Sequence, residues 1–500
     1  MPDPYVPHPR QEPRLPLSLT LGHLKLVFRD CADFEVRTVH PGGDLRQELH
    51  VCYLNGMAKT ERLNEYVLQP LLRERSLAGL GPDLLLNVLE ESVLCTQQVT
   101  PTGSMDEAAL ALANGSCLLL CPGGEGRGLL LPVATEEKRS ILEPGNEPAL
   151  KGSRESFVES LRTNTSLVRR RLRAPELRIR EHTVGRQSLT PVDVVYLEHI
   201  ADPAAVAQVT EKLERMDVDG VESAGDLEEY LVPAARSPFP LIADTQRPDR
   251  FCRGLLEGRV GVLCDGVPLG FLLPGTLDLF FRTGQDRAYH WMAATALRLL
   301  RYLCALTTLL LPGLYIALVT YHPEAIPVKL ALSIAAAKQN VPFSTIFEVL
   351  TMLLAFEVVQ EAGLRFPGPI GATVSILGGL VVGNAAVEAH IVSPAVLIAV
   401  AVAGVAGYTI PDQDLSNALR LWRFLLSVLA SLGGLFGLAA GWFLLVLHLA
   451  GLNSFGVAYL APFTAGAGDH LTQPSLIRPP LPFSKWRSGA SDTDNRRNQR

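Results

Sequence analysis

Residues Phe424–Gly468 read FLLSVLASLGGLFGLAAGWFLLVLHLAGLNSFGVAYLAPFTAGAG, a run of 45 residues without a charged side chain. A bilayer core is crossed by about 20 apolar residues in a helix, so this run can hold one long tilted helix or a tight helical hairpin. Three further uncharged runs precede it, at Tyr302–Pro323, Phe366–Val387 and Ala389–Pro411. Buried core helices rarely give four such runs in succession, so the pattern predicts an α-helical polytopic membrane domain over residues 291–465.

The charge distribution separates this segment from the front of the chain. Residues 1–290 hold 73 charged side chains, whereas residues 291–480 hold 16. Soluble domains are roughly 25% charged, which the front matches and the membrane segment does not. No signal peptide is recognised ahead of the soluble part, so we expect that part to be cytoplasmic. The net charge of −6 argues against a nucleic-acid partner held by bulk charge.

Basic residues also predict the topology. Arg298 and Arg301 flank the first apolar run, and further Lys and Arg residues lie in the tail after residue 480. Because positive loops favour the cytoplasmic side, both ends of the membrane domain are expected there, which requires an even number of spans. Arg420 and Arg423 argue against this if the last run is a single helix.

The soluble part contains an internal repeat. Strand-like and helix-like segments alternate, which is typical of α/β structure. Tyr53 matches Tyr196 and Gly115 matches Gly258 at the same offset of 143 residues. We therefore predict a duplicated α/β cytoplasmic domain followed by the membrane domain. The predicted boundaries are a variable N-terminal arm at 1–45, a first α/β subdomain at 46–140, an Arg-rich helical linker at 141–175, a second α/β subdomain at 176–290, the transmembrane helices at 291–465 and a polar tail at 466–500.

The predicted linker ends in four arginines, Arg169, Arg170, Arg171 and Arg173. One interpretation is contact with lipid phosphate or with an acidic partner surface. The other is a solvated connector whose cations stabilise a helix C-terminus. The sequence alone leaves both interpretations open.

Signatures of catalysis are not recognised in the sequence. The glycine-rich segment Gly123–Gly128 lacks the spacing of a dinucleotide loop, and no Walker, HExxH or GxSxG motif occurs. The eight cysteines include no CxxC pair. We therefore expect no catalytic residues, no metal and no cofactor, and predict that the protein is not an enzyme.

Two patterns stand out within the membrane segment. Small residues every fourth position allow helices to pack closely in lipid, and the glycines with this spacing are Gly379, Gly383, Gly433, Gly437 and Gly441.

The second pattern is a polar stripe on a predicted helix at 342–362, formed by Ser344, Glu348, Thr351 and Ala355. A carboxylate at membrane depth is costly unless it is paired or hydrated, so these residues are candidates for lining a pore. The alternative is an amphipathic helix lying flat on the membrane.

Four motifs resemble one family, the GerA-type spore germination receptors, A subunit. They are Lys151–Phe157, Leu161–Arg170, Ser237–Pro240 (SPFP) and Ser454–Val457 (SFGV), and the resemblance covers roughly residues 140–480. It implies a subunit in the inner membrane of a spore, acting with B- and C-type partner subunits to sense amino acids or sugars and to trigger germination. It further implies a homo-oligomeric ring of A subunits around an ion-conducting pore.

The SpoVAF proteins, accessory to the dipicolinate-release machinery, share this architecture and are the alternative. Neighbouring genes would discriminate between the two roles.

Overall fold

The computed structural model describes residues 15, 17–94, 98–124, 126–134, 147, 151–232, 237–364, 381–461, 463, 476–478 and 480. These residues form two compact units. The α/β unit holds the described residues of 15–232 and 244–274, and the helical unit holds those of 237–243 and 275–480.

The first half of the α/β unit is a five-stranded sheet with helices on both faces. Its strands are β1 (Phe34–Val39), β2 (Leu49–Leu54), β3 (Thr100–Thr102), β4 (Ser116–Leu120) and β5 (Gly128–Pro132), in the spatial order β1-β2-β4-β5-β3. Its helices are α1 (Leu21–Val27), α2 (Thr60–Leu63), α3 (Gln69–Arg73), α4 (Pro82–Val88) and α5 (Met105–Ala113).

Apolar residues at successive positions of β4 explain the helices on both faces. Cys117 and Leu119 pack with α2, α3 and α4, whereas Leu118 and Leu120 pack with α1 and α5. Side chains of a strand alternate between the two faces of a sheet, so an uninterrupted apolar strand needs a cover on each side.

The second half repeats this arrangement. Its strands are β6 (Leu177–Val184), β7 (Thr190–Leu197), β8 (Ala243–Thr245), β9 (Val260–Cys264) and β10 (Gly270–Leu273), and its helices are α6 (Leu161–Arg171), α7 (Pro203–Glu214), α8 (Ala224–Leu231) and α9 (Pro248–Leu256). The strand order β6-β7-β9-β10-β8 is that of the first sheet. The offset of 143 residues carries the bounds of β3 onto those of β8, and the bounds of α5 onto those of α9. The two halves therefore have the same topology, as the predicted duplication requires.

Three of the predicted boundaries differ from the structure. The second α/β subdomain is predicted to end at residue 290, but the described residues from 275 onward belong to the helical unit. The predicted arm at 1–45 contains α1 and β1, and β1 pairs with β2 along all six of its residues, so the boundary at residue 45 cuts the first sheet. The predicted linker at 141–175 contains α6, which the offset matches to α1 and which packs on β7, β9 and α9. Each copy begins with a short helix that buries few apolar residues (Leu24 and Val27 in α1), so its composition resembled that of a connecting segment.

The helical unit contains two helices that are long and apolar enough to cross a membrane, α11 (Trp291–Thr320) and α15 (Gln413–Gly451), with 30 and 39 residues. Its other elements are α10 (Leu277–Phe280), α12 (Val328–Lys338), α13 (Thr345–Leu364), α14 (Pro394–Gly407), β11 (Asn453–Ser454) and β12 (Val457–Ala458). α14 is apolar but shorter. Most of the predicted run Phe366–Val387 lies outside the described residues.

Helix α15 folds back on itself at two glycines. Gly433 has φ −135° and Gly434 has φ 58° and ψ −136°, neither of which is helical. A Cβ placed on Gly437 would lie 2.0 Å from the carbonyl oxygen of Leu429, although residues eight apart in a straight helix are separated by about 12 Å. The arms 413–432 and 435–451 are therefore antiparallel, and the structure adopts the tight hairpin rather than one long helix.

Candidate functional site

Helix α13 carries the residues that the sequence singled out. It packs on the neighbouring helices through Val349, Met352 and Leu353, which are almost completely buried in a cluster with Ile316 of α11 and Val396 of α14. Other side chains of α13 are exposed, among them Phe347, Leu354 and Val358. One face of α13 therefore packs against other helices of the chain, and another face is exposed.

The carboxylate of Glu348 lies on the packed face. Glu348 is 1% exposed, and its Oε2 accepts a hydrogen bond of 2.8 Å from the backbone N–H of Ser393. Ser393 is the residue immediately before α14, where unpaired N–H groups favour a negative charge. The ammonium of Lys338 lies 3.7 Å from Oε1. Glu348 thus joins α13 to the N-terminus of α14.

This position corrects the predicted polar stripe. Ser344 is exposed, Thr351 and Ala355 are half-buried, and only Glu348 is buried. The sequence predicted that Glu348 is the centre of a water-lined face, but the N-terminus of α14 offers it a hydrogen-bond donor inside the chain. Pore lining by Ser344, Thr351 and Ala355 stays a prediction.

A second carboxylate of α13 is also paired, which sequence reasoning missed. Glu357 Oε2 lies 3.1 Å from Arg420 Nη1, and Glu357 also pairs with Arg423, which is 3% exposed. Two arginines and one glutamate in apolar surroundings were a signal that they pair, because unpaired charges there are costly. Glu348 and Glu357 are nine residues apart, about 180° around a helix, so α13 is held on opposite sides by α14 and α15.

Ionic contacts also mark the start of α11. Asp286 Oδ2 accepts from Arg298 Nε at 2.9 Å and from Arg301 Nη1 at 3.1 Å. Burial alone would raise the pKa of Asp286, but the two guanidinium groups outweigh it and lower this pKa below its ordinary value. Arg478 donates to the carbonyl oxygens of Asp286 and, at 2.7 Å, of Tyr289. The chain after α15 therefore returns to the start of α11.

The predicted arginine cluster is divided by the structure. Arg169 is fully buried and donates from Nε and Nη2 to both carboxylate oxygens of Asp33, at 2.7 and 2.8 Å. The prediction that Arg169 contacts a partner or lipid is therefore wrong, because Asp33 of the first α/β copy already pairs with it inside the chain. Arg171 is half-buried and donates to Ser153 and Glu155.

The remaining two arginines of the cluster are accessible for contact with a partner or with lipid. Arg170 is half-buried, and Arg173 is exposed and donates to the carbonyl oxygen of Arg170. For Arg170, Arg173 and the half-buried Arg171, contact with a partner or with lipid stays a prediction.

Among the described carboxyl groups of the α/β unit, Asp193 on β7 is the one whose pKa is raised most by burial. Its side chain is fully buried, and Arg162 Nη1 approaches Oδ2 only to 3.5 Å. Oδ1 has no hydrogen-bond partner among the described residues. Burial raises the pKa of Asp193 to about 7.

The predicted glycine contacts are resolved in part. Gly437 and Gly441 contact the facing arm of the α15 hairpin, at Leu429 and Leu426. Gly383 faces Leu397 of α14. Gly433 lies at the turn of the hairpin rather than in a groove, and Gly379 lies outside the described residues. Among the described residues, no group of three or more His, Cys, Asp or Glu is arranged to hold a metal ion.

Comparison with known proteins identifies the family. A family model described as the Bacillus/Clostridium GerA spore germination protein matches residues 22–490. The chain belongs to the GerA family. Spore germination protein B1 of Bacillus subtilis is 36% identical over 464 residues, which cover 92% of this chain and 94% of that protein. The uncharacterized membrane protein YfkQ of Bacillus subtilis is 36% identical over 446 residues, which cover 89% of this chain and 85% of that protein.

Among solved structures, the chain is similar to the N-terminal domain of the A subunit of the Bacillus megaterium spore germinant receptor GerK3. The identity is 25%, the TM-score is 0.42, and the match covers 52% of this chain and 98% of that domain. The resemblance to GerA-type germination receptors that the motifs indicated is confirmed by the family match. The two long apolar helices in this GerA-family chain suggest membrane association.

Proposed function

We propose that this chain is the A-type subunit of a nutrient-responsive germination receptor in the membrane of a spore-forming bacterium. The observation that carries the proposal is the family match, which runs through both the α/β unit and the helical unit. Relatives of similar length are named spore germination proteins. The role is recognition and signalling rather than catalysis, and the nutrient is an amino acid or a sugar.

The helical unit is the multi-pass membrane domain, with the α/β unit in the cytoplasm. Each arm of the α15 hairpin is about as long as a bilayer core is thick, at about 1.5 Å per residue. Arg478 beside Asp286 supports an even number of crossings, because it returns the end of the helical unit to the side where α11 starts. Arg298 and Arg301 at that end support a cytoplasmic location.

B- and C-type subunits are the partners, and several A subunits form a ring around an ion-conducting pore. The exposed face of α13, with Ser344 at its start, is the surface that lines this pore. Glu348 and Glu357 hold α13 in the closed arrangement, because their pairing with α14 and α15 opposes any displacement of this helix. Opening requires that these contacts change.

Transfer of the receptor tests this proposal. The chain and its neighbouring B- and C-type genes are expressed in spores that lack their own germination receptors, and dipicolinate release is followed after addition of the twenty common L-amino acids with D-glucose. We expect release only when all three subunits are present. A chain whose neighbouring genes encode the dipicolinate-release machinery, and which gives no response in this assay, would instead have the accessory role.

A further inference from the structure

Two of the sequence motifs meet in the helical unit. The SPFP motif, Ser237–Pro240, begins a six-residue segment, 237–242, which we call the strap; it lies between α8 and β8 of the second α/β copy. The SFGV motif, Ser454–Val457, follows the second arm of the α15 hairpin. Neither motif is accounted for by the proposed pore or by the ionic contacts of α13.

The SFGV motif forms a tight β-hairpin. β11 and β12 pair directly, and the two residues between them, Phe455 and Gly456, have φ of 48° and 86°. Positive φ at both central residues is the requirement of a type I′ turn, which glycine meets at low cost. This turn fixes Ser454, which is fully buried.

Ser454 and its neighbours hold the strap by hydrogen bonds. The Ser454 hydroxyl donates to the carbonyl oxygen of Leu241 at 2.7 Å, and the N–H of Gly275 donates to the same carbonyl at 2.8 Å. At the other end of the strap, Ser237 Oγ lies 2.9 Å from Nε2 of His448 on the second hairpin arm. Both ends of the strap are therefore attached to this arm or to the turn that follows it.

An aromatic cradle holds the centre of the strap. Phe239 is 3% exposed, and its ring lies 5.9 Å from His448, 6.4 Å from Trp422 and 6.3 Å from Tyr459, measured between centroids. Trp422 belongs to the first hairpin arm and His448 to the second, so one side chain contacts both. Pro238 and Pro240 on either side of Phe239 restrict the backbone.

The first α/β copy provides an internal comparison. The offset of 143 residues matches the strap to residues 94–99, which have the same length and also lead into the edge strand of a sheet. There, Leu94 and Val99 pack against the core of their own copy. Leu94 and Val99 therefore belong to the core of the first copy, whereas residues 237–242 of the second copy cluster with the helical unit.

We propose that the strap is a coupling element, through which a rearrangement of the second α/β copy acts on the α15 hairpin. The strap continues directly into β8. Because hydrogen bonds and two prolines restrict its six residues, a displacement of β8 should displace the strap as well. Because Phe239 contacts both arms of the hairpin, the displacement changes their packing and with it the contact of Arg420 and Arg423 with α13. This inference rests on the proposed receptor function.

Removing the Phe239 ring tests the inference. In spores whose only receptor contains this chain, Phe239→Ala should slow dipicolinate release on addition of the twenty L-amino acids with D-glucose by about tenfold or more, the size of a typical coupling between sites. The amount of chain in the membrane fraction should stay at the wild-type level. Phe239→Leu, which keeps an apolar side chain in the cradle, should retain most of the response. A wild-type response from Phe239→Ala overturns the inference.

A milder variant decides the outcome if Phe239→Ala fails to accumulate. Ser237→Ala removes only the hydroxyl that meets His448, and Leu94→Ala at the equivalent position of the first copy is its matched control. The inference predicts a slower response for Ser237→Ala and a wild-type response for Leu94→Ala at equal chain levels. Equal responses from both overturn it.

Hydrogen exchange separates this inference from the proposed function, because it needs no germination response. In the purified full chain, Phe239→Ala should speed exchange of the Gly275 amide, which donates to the strap, and of amides in the second hairpin arm. Amides of β7 and β9 should exchange as in the wild type. Unchanged exchange in the hairpin arm overturns the inference, whereas failure of the wild-type receptor to respond to the nutrients argues against the proposed function alone.

Discussion

Breaking the ion pair between Arg169 and Asp33 should loosen the contact between the two α/β copies. Arg169 is the largest fully buried side chain among the described residues, and its guanidinium meets both oxygens of Asp33. Arg169→Met leaves the Asp33 carboxylate buried without its cation, and removing one member of a buried pair costs about 3–5 kcal/mol. Arg169→Met/Asp33→Leu removes both charges and should recover most of this loss, since an apolar replacement of a buried pair is often neutral.

Cys31 reports this opening. Its thiol is buried at the contact between the copies and donates to the carbonyl oxygen of Leu177 at 3.4 Å. In the full chain in detergent, thiol labelling resolved by mass spectrometry measures how often Cys31 becomes accessible. A loss of 3–5 kcal/mol corresponds to labelling that is about a hundred to several thousand times faster.

Arg173→Met is the matched control, because Arg173 is exposed on the same arginine-rich segment. It should label at the wild-type rate, and the double variant should label far more slowly than Arg169→Met. The reasoning is refuted if Arg169→Met and Arg173→Met label Cys31 at the same rate.

Three further predictions concern Asp193, Gly437 and Glu348. Burial raises the folded-state pKa of Asp193 from 3.8 to about 7, so ionisation of this carboxyl lowers the stability of the fold as the pH rises through this interval. Asp193→Asn should therefore be as stable as the wild type near pH 4 and more stable above pH 7, by at most about 4 kcal/mol. Thermal unfolding at both pH values measures this, and an equal difference at the two would contradict it. Gly437→Ala places a methyl group against Leu429 and should cost about 1–3 kcal/mol, seen as a lower midpoint of thermal aggregation; Gly451→Ala, with no atom within 4 Å of the added Cβ, should have no such effect. Glu348→Gln removes the charge at the N-terminus of α14 and should increase ion leakage from spores without nutrient, relative to Glu361→Gln on the exposed side of α13. Equal leakage from the two variants would argue that Glu348 does not hold α13 in the closed arrangement.

The sequence predicted the duplication but not where each copy begins. Tyr53 and Tyr196 lie in paired, buried strands, where packing restricts the residue type. The correspondence between the two copies is therefore still recognisable in the sequence at these positions. The first helix of each copy has a composition close to that of a linker. In the second copy, α6 buries Arg169 together with Asn164 and Thr165, and a buried arginine is indistinguishable from a surface arginine until its partner Asp33 is known.

Helical periodicity likewise placed Glu348 on a polar face but could not identify what that face meets. Its partner is a backbone N–H at Ser393, and a free helix N-terminus leaves no mark in a hydrophobicity pattern. The break in α15 was open for a related reason, because glycines in a membrane helix can serve either close packing or a turn. The contacts of Gly437 with Leu429 distinguish the two, and such contacts exist only in the folded chain.

The central claim, that this chain is a subunit of a germination receptor, is tested most directly by deleting it. Spores that lack only this chain are compared with isogenic spores that carry it, and dipicolinate release is measured after addition of the twenty L-amino acids with D-glucose. The account predicts that at least one component of the mixture triggers release in the intact spores and fails to do so in the deletion, with restoration by the reintroduced gene. Identical release from both kinds of spore, for every component, would contradict it.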